Sequence, residues 1–367
     1  METIRFDDFI RLNRGFDLPD YKIEKGEYPV ITSTNIKAFH KEYKVEGPMV
    51  VTGRSGSLGK VQYIEGRCWP LNTSLYVKDY KGNFPRYVYY FLQMMHLEQY
   101  NAGAGVPTLN QNHLHSLKIK IHEKKLQQKI ASILSSYDHL IENNTRRVRL
   151  LEQMAENLYK EWFVRFRFPG HENVEMVNGL PKGWKKEELS NIADVCMGSS
   201  PKSEYYNDEK RGLPFHQGVG SFGERFVLDN TYSTSYSQIA EPMSILFSVR
   251  APVGRLNYTR NRIVIGRGVA AINHKEGMQS LLFYTLKIKF FKEDIIGNGA
   301  IFSSITKKEL LKLKLIVANK ELRVVFNNKI NKIDREIDIL YKQNQLLTRQ
   351  RDLLLPRLMS GKLEVKS

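Results

Sequence analysis

Residues 103–121, "GAGVPTLNQNHLHSLKIKI", lie over residues 299–317, "GAIFSSITKKELLKLKLIV", at an offset of 196. Gly103 meets Gly299, Ala104 meets Ala300, Leu114 meets Leu310 and Leu117 meets Leu313. Each copy reads as a polar turn, a short helix and a strand. Asn110 is a good N-cap in the first copy, and Thr306 with Glu309 makes a capping box in the second. Both strands alternate apolar residues with lysine: Leu117, Ile119 and Ile121 against Leu313, Leu315 and Val317. A self-match at a fixed period ranks above any local reading, because it sets the number of units.

Moving toward the C-terminus the register continues without a gap. Asp138 falls on Asp334, Ile141 on Ile337, Leu150 on Leu346 and Leu151 on Leu347. Moving the other way, "VTGRSGSLGKVQY" (51–63) has a twin in "LFSVRAPVGRLNY" (246–258) at an offset of 195. This pair places Gly59 on Gly254, Lys60 on Arg255 and Tyr63 on Tyr258. Near the start of each half, "YPVIT" (28–32) corresponds loosely to "LPFHQ" (213–217). Four matches in one order make a tandem duplication: globular unit, long helix, globular unit, long helix.

The first helix places Leu126, Ile130, Ile133, Tyr137, Leu140, Asn144, Val148, Leu151, Ala155, Leu158 and Trp162 on one seam. That is a heptad pattern with one stutter. The second gives Phe326, Ile330, Ile333, Ile337, Leu340, Asn344, Leu347, Arg351 and Leu354. About 37 residues span roughly 55 Å, too long a stripe for one globular unit to bury. The two helices are therefore expected to pair as an antiparallel coiled coil with two-fold pseudo-symmetry. Asn144 and Asn344 either fix its register or face solvent. Pro169-Gly170 should stop the first helix and Pro356 the second. Trp162, Phe163 and Phe166, in "KEWFVRFRFPG" (160–170), suit packing, within the chain or on a partner, better than base stacking.

The charge balance is unusual: 56 Lys+Arg against 39 Asp+Glu gives a formal net charge of +17. Such an excess points to a polyanion, most often nucleic acid. Two distant cysteines, Cys68 and Cys196, support neither a disulfide framework nor a zinc site. No apolar run approaches the ~20 residues that span a bilayer, and the opening stretch is no signal peptide, so a cytoplasmic location is expected. The loop "GRSGSLGK" fails as a phosphate cradle, since Arg54 stands at the first required glycine and Val61 at the hydroxyl. No Pro-Pro methyltransferase site, G-x-S-x-G or H-E-x-x-H is present. Pro19-Asp20 with Asp79-Tyr80-Lys81 only mimics a nuclease, and His113-x-His115 lies in the short helix. Metal sites and catalytic residues: none are expected.

"GVPTLNQNHLHSLKIKI", "LLEQMAENLYKEWFVRFRFPG" and "LLTRQRDLLLPRLMSGKL" together resemble the specificity (S) subunit of type I restriction-modification systems. The resemblance covers essentially the whole chain and is most specific in 151–166 and 354–363. It implies an α+β fold: two pseudo-symmetric globular target-recognition domains, each with a mixed β-sheet, separated by an antiparallel two-helix coiled coil of the conserved helices. The expected boundaries are 1–122 and 184–318 for these domains, 123–168 and 319–362 for the helices, and 169–183 for a linker. Asn319 and Val324 depart from the family's usual Pro and Gln, which implies a slightly different helix start.

The resemblance further implies a non-catalytic subunit that reads a bipartite site on double-stranded DNA, one domain per half-site. Its helices would dock two modification (methyltransferase) subunits, and restriction subunits can join through them. S-adenosylmethionine, ATP and Mg are expected in those partners, with no cofactor on this chain. Candidate docking residues are Leu151, Leu158, Trp162, Phe163, Leu347 and Leu354. Candidate DNA contacts in the first unit are Ser33, Thr34 and Asn35 after a short strand, and Arg54, Ser55, Ser57 and Lys60 in the hairpin. Asn72 and Thr73 in "LNTS", with Thr108 and Asn110 heading the short helix, complete that set. The second unit offers Gln217, Ser248, Arg250, Arg255, Arg267, Ser303 and Ser304. Two other readings stay open: a DNA-modifying enzyme acting alone, and a coiled-coil scaffold with an incidental basic surface.

Overall fold

The computed structural model describes residues 1–295 and 304–365. Ser303, Gly299 and Ala300 lie outside them. The chain divides into two compact units, Met1–Arg146 with Tyr341–Ser367, and Arg147–Leu340. Both long helices are cut by this division, so each unit holds a globular part and a stretch of each helix.

The two units repeat one topology. In the first, an antiparallel sheet runs in the order Arg11–Arg14, Ser74–Asp79, Met49–Gly53, Val61–Ile64. In the second the order is Ala193–Met197, Val269–His274, Ile245–Ser248, Leu256–Tyr258. A second sheet in each, three-stranded in the first unit and five-stranded in the second, contains a parallel pair, Val30 beside Trp69 in one and Phe215 beside Val264 in the other, which makes the sheet system mixed. Glu2–Arg5 pairs with Lys118–Ile121 just before the first long helix. Lys185–Glu188 pairs in the same way with Lys314–Val317 before the second. In these last strands lysines point out while Ile119, Ile121, Leu315 and Val317 are buried, as the alternation requires. Met49–Gly53 is buried at every position, which suits the β-branched run of a central strand.

Caps form where the sequence placed them. The Asn110 side chain accepts from Asn112 N at 2.9 Å, and both halves of the Thr306–Glu309 capping box are present. Asn319 Oδ1 accepts from Leu322 N at 3.0 Å, so Asn319 serves as the cap of a helix beginning at Lys320.

The long helices run Lys124–Tyr159 and Lys320–Met359. In the first unit they are antiparallel: Asp138 meets Arg351 at 2.7 Å, and Asn144 Nδ2 donates to Asn344 Oδ1 at 3.0 Å. Asn344 in turn donates to the Ile141 carbonyl at 3.3 Å and Thr145 Oγ1 at 3.2 Å. This polar knot favours one register, because a slip would strand half-buried amides. In the second unit Arg147 meets Glu336 at 2.8 Å and Tyr159 packs near Phe326, again antiparallel.

Three expectations need correction. Leu140 is 51% exposed, and Ile141 takes its place on the inner face. Leu134, fully buried, likewise replaces Ile133. With these two residues the seam runs Ile130, Leu134, Tyr137, Ile141, Asn144, Val148, Leu151, Ala155 in unbroken 4,3 steps, and the stutter moves to the start of the helix, at Leu126, Ile130 and Leu134. Adjacent apolar pairs such as Ile133-Leu134 and Leu140-Ile141 hide the choice from periodicity alone. Secondly, the first helix does not run straight to Pro169: its α-helical part ends at Tyr159 and passes into a π turn, Lys160–Val164. Thirdly, Pro356 lies inside the second helix instead of stopping it. It falls in the last turn, where few intrahelical bonds remain to be lost, and the chain leaves the helix at Gly361 with φ +72°.

Each core extends onto the helices. In the first unit Ile130, Ala131, Leu134 and Leu358 pack with Phe6, Phe9, Tyr87 and Tyr90. In the second, Phe326 sits among Tyr159, Trp162 and Phe163, with ring centroids 5.9, 5.5 and 4.8 Å away, and Phe163 also packs on Trp184 at 5.6 Å. Trp162 and Phe163 are buried in this cluster, so they are core residues and not a docking face. Phe166, half-buried, packs edge-on against the same Trp184.

Candidate nucleic-acid interface

Strands Met49–Gly53 and Val61–Ile64 form an antiparallel hairpin in the register Val51 to Gln62 and Thr52 to Val61. The connecting loop closes through Thr52 Oγ1 on the Lys60 carbonyl at 3.0 Å and turns at Gly59, where φ is +88°. Its twin turns at Gly254 with φ +87°. A left-handed residue at the same point of both hairpins explains why glycine precedes Lys60 and Arg255 alike.

Around the first hairpin, backbone bonds and one serine hydroxyl gather four segments into one loop cluster. Arg54 N and Ser55 N donate to the Thr73 carbonyl at 2.9 and 3.1 Å. Gly56 N donates to Pro107 O at 2.9 Å, and Leu109 N to Arg54 O at 2.8 Å. Ser33 Oγ lies 3.0 Å from Ser55 O and 2.8 Å from Thr73 O, tying in the fourth segment.

The second unit builds the same frame at corresponding positions. Val249 N donates to Gly268 O at 3.0 Å, and Ile305 N to Val249 O at 2.9 Å. Ser55 bridges Thr108 in the first unit, and Arg250 bridges Ser304 in the second. Leu71 N donates to Ile31 O at 2.8 Å, and Gly266 N to His216 O at 2.9 Å. Gly15 N donates to Ser74 O and Gly198 N to Val269 O. A Cβ on Gly15 would stand 2.2 Å from Leu71 O, and one on Gly198 2.2 Å from Gly266 O, so both are glycine for the same close approach. That last pair has almost no matching sequence around it, because loops of unequal length shift its offset. Only the hydrogen-bond pattern reveals it.

Most candidate residues are brought to these two clusters, though not all with a free side chain. Ser33 is buried with its hydroxyl committed to backbone carbonyls. Ser248 is buried too: its hydroxyl donates to Pro252 O at 2.6 Å and accepts from Arg255 N at 2.8 Å. These two serines build the loops and are withdrawn from the surface, a correction that follows from facing inward at a strand end. Thr108 Oγ1 donates to Val106 O at 2.9 Å, Asn110 is the helix cap, and Asn35 Oδ1 accepts from Thr32 Oγ1 at 2.6 Å. Asn72 donates to Asp17 while its carbonyl accepts from Arg54 at 3.4 Å. Thr34 and Ser55 are half-buried, whereas Ser57, Lys60, Thr73, Gln217, Arg250, Arg255, Arg267 and Ser304 are exposed.

Sequence reasoning missed the side chains that hold the second cluster. His216 is fully buried, its Nδ1 2.8 Å from Ser221 Oγ and its Nε2 3.0 Å from Asp229 Oδ1, so it pins the loop that follows Gln217. Burial would push the Asp229 carboxyl up, but hydrogen bonds from His216 and Asn261 outweigh it and hold the carboxyl below its ordinary value. Arg225, another missed residue, is buried with its side chain 1% exposed. It donates to Asp334 on the second helix, and to Glu152 on the first at 3.2 Å. Burial works against its charge, yet Asp334, Tyr284, Tyr258 and Glu152 together keep the guanidinium firmly protonated. No periodicity signals a lone buried arginine. The Cys68 thiol is pushed up to about 12 by burial, which leaves it unreactive. No helix among the described residues is long and apolar enough to cross a membrane.

The comparisons with known proteins agree with this duplicated architecture. The family described as type I restriction modification DNA specificity domain matches residues 1–153 and again 181–349. The putative type I restriction enzyme MjaX specificity subunit of Methanocaldococcus jannaschii is 30% identical over 327 residues, 84% of this chain and 76% of its own length. The MjaIX specificity subunit of the same organism is 25% identical, covering 95% of this chain and 86% of its own. Among solved structures, the type I restriction-modification S subunit from M. genitalium aligns over 100% of this chain and 96% of its own with a TM-score of 0.65. At 19% identity that likeness concerns the fold. With both halves matched separately and the two repeated units seen in the structure, the chain belongs to the type I restriction modification DNA specificity domain family.

Proposed function

We propose that this chain is the DNA-recognition subunit of a type I restriction-modification complex, each unit reading one half of a bipartite duplex target. The observation that carries the reading is the loop cluster built twice on one backbone frame, with exposed arginines or lysines on both copies. A fixed frame with interchangeable tips suits a reader that must present different side chains to different half-sites. Lysine and arginine contacts to phosphates supply affinity, and polar side chains on base edges supply choice. Two readers on one chain gain through effective concentration when both engage.

Modification subunits, with restriction subunits as a further partner class, dock on the helices in this proposal and bring S-adenosylmethionine, ATP and Mg. Such a complex works on the host chromosome, hence in the cytoplasm. The apolar side chains on the helices that are more than half exposed are Leu140, Leu346 and Leu353 in the first unit and Leu150 and Met154 in the second. Of the residues first considered, Leu151, Leu158, Leu347 and Leu354 are half-buried, at the edge of such a surface.

The test is duplex binding by the chain co-purified with its modification subunits, titrated with salt. One target should be preferred over scrambled duplex, and affinity should fall about 10³-fold or more between 50 and 200 mM salt if six or more phosphates are contacted. Equal binding to all duplexes would refute the reading. Salt-insensitive partner binding with no DNA bound would favour a scaffold instead.

A further inference from the structure

Two guanidinium groups in the second unit stand where the first unit carries small polar side chains. Ser55 and Arg250 occupy one equivalent pair of positions, since Ser55 bridges Thr108 as Arg250 bridges Ser304. Asn72 and Arg267 occupy another, each preceding the residue whose carbonyl accepts the central backbone bond: Thr73 from Arg54 N, Gly268 from Val249 N. A third pair behaves differently. Lys60 and Arg255, each following the left-handed glycine, are basic in both units.

The phosphate backbone is chemically the same along both half-sites, whereas the base edges are not. A position facing phosphates has no reason to change charge between the units; a position facing bases does. Lys60 and Arg255 therefore sort as phosphate contacts, and Ser55/Arg250 and Asn72/Arg267 as base contacts.

Arg250 and Arg267 also have the presentation that reading requires. Both are exposed, and among the described residues neither guanidinium has a protein partner. Their backbones are held. Arg250 is fixed by its bridge to Ser304, and Arg267 by its own N–H on Ser200 Oγ at 3.2 Å. The glycines beside Arg267 donate to His216 O at 2.9 Å and Gln217 O at 3.0 Å. A guanidinium offers only donors in a rigid fork, and in the major groove it matches the paired N7 and O6 acceptors of guanine. The first unit's own arginine, Arg54, is half-buried and directed onto the Asn72 carbonyl.

Resting on the recognition role proposed above, we infer that Arg250 and Arg267 read guanine in the half-site faced by the second unit. The two half-sites are therefore unequal, and the first is read without a guanidinium at the corresponding positions.

The experiment is selection from a randomised duplex library by the full chain in complex with its modification subunits. The unaltered complex should select a bipartite target with guanines in one half-site. Arg250→Ala and Arg267→Ala should each relax the preference at one of those guanines by about tenfold to a hundredfold, leaving the other half-site as it was. Arg250→Lys and Arg267→Lys should keep overall affinity but not the guanine preference, because a point charge lacks the fork. Lys60→Ala and Arg255→Ala should weaken every sequence alike and lower the salt slope by about one. Uniform weakening by the Arg250 and Arg267 variants, with the selected sequence unchanged, would overturn the inference while leaving the recognition role standing. A complex that selects no sequence would overturn both.

Discussion

Replacing Asp334 by alanine should destabilise the second unit by about 3–5 kcal/mol, the cost of leaving a buried guanidinium without its counter-charge. Arg225 has no escape to water: its side chain is 1% exposed, and rings of Tyr258 and Phe283 stand 5.2 and 5.0 Å from its guanidinium carbon. Asp334 is also an acceptor for Ser280 Oγ at 2.5 Å, but that hydroxyl keeps Asn331 Oδ1 at 3.1 Å, so the cost falls on the guanidinium. Glu152 at 3.2 Å gives only partial relief. Denaturant unfolding of the full chain, followed by tryptophan fluorescence, reports on this, because Trp162 and Trp184 both lie in the second unit. The double variant Arg225→Met with Asp334→Leu should recover most of the loss, since an apolar pair of similar volume replaces the desolvated ions. A loss below about 1 kcal/mol for Asp334→Ala would mean that the pair is not buried in solution. The twin carboxylate in the first unit, Asp138, receives Arg351 at 2.7 Å and Tyr90 OH at 2.5 Å, but both charged side chains keep access to water. Asp138→Ala should therefore cost less, about 1–2 kcal/mol.

Phe326→Ala should cost a comparable amount, about 3–5 kcal/mol. Its ring is fully buried where the start of the second helix meets the end of the first, edge-on to Phe163 at 4.8 Å. Truncation leaves a cavity that cannot collapse, because Tyr159, Trp162 and Phe163 are fixed on the opposite helix by its own final turns. Phe326→Leu, which keeps most of the volume, should lose less than half as much. The tryptophan signal should shift in the alanine variant even without denaturant, since Trp162 is 5.5 Å from the missing ring. An unchanged unfolding midpoint would contradict the packing described.

What was legible in the sequence depended on how far each signal extended along the chain. The duplication is a long signal: many residues keep one offset, so it specified two like units and two like helices. The second helix's seam was equally clear, with Phe326, Ile330, Ile337 and Leu340 all buried. The first helix misled at Ile133-Leu134 and Leu140-Ile141, where two adjacent apolar residues compete for one inward position. Pro356 misled because a proline forbids a helix interior but not its last turn. At the interface, polarity alone could not separate a hydroxyl that reads from one that braces. Ser33 and Ser248 belong to the second kind, being turned toward neighbouring backbone at strand ends. Gly15, Gly198, His216 and Arg225 gave no signal at all, since each owes its role to partners distant in sequence.

Two units of one chain that read two half-sites of one target leave a split mark on the genome. Sequencing the methylated bases in the genome of a cell that carries this chain with its modification subunits is the test. The predicted result is methylation at one split motif, two short specific runs separated by an unread spacer, with the Arg250 and Arg267 substitutions altering only one run. A single unsplit motif, or methylation without sequence preference, would contradict it.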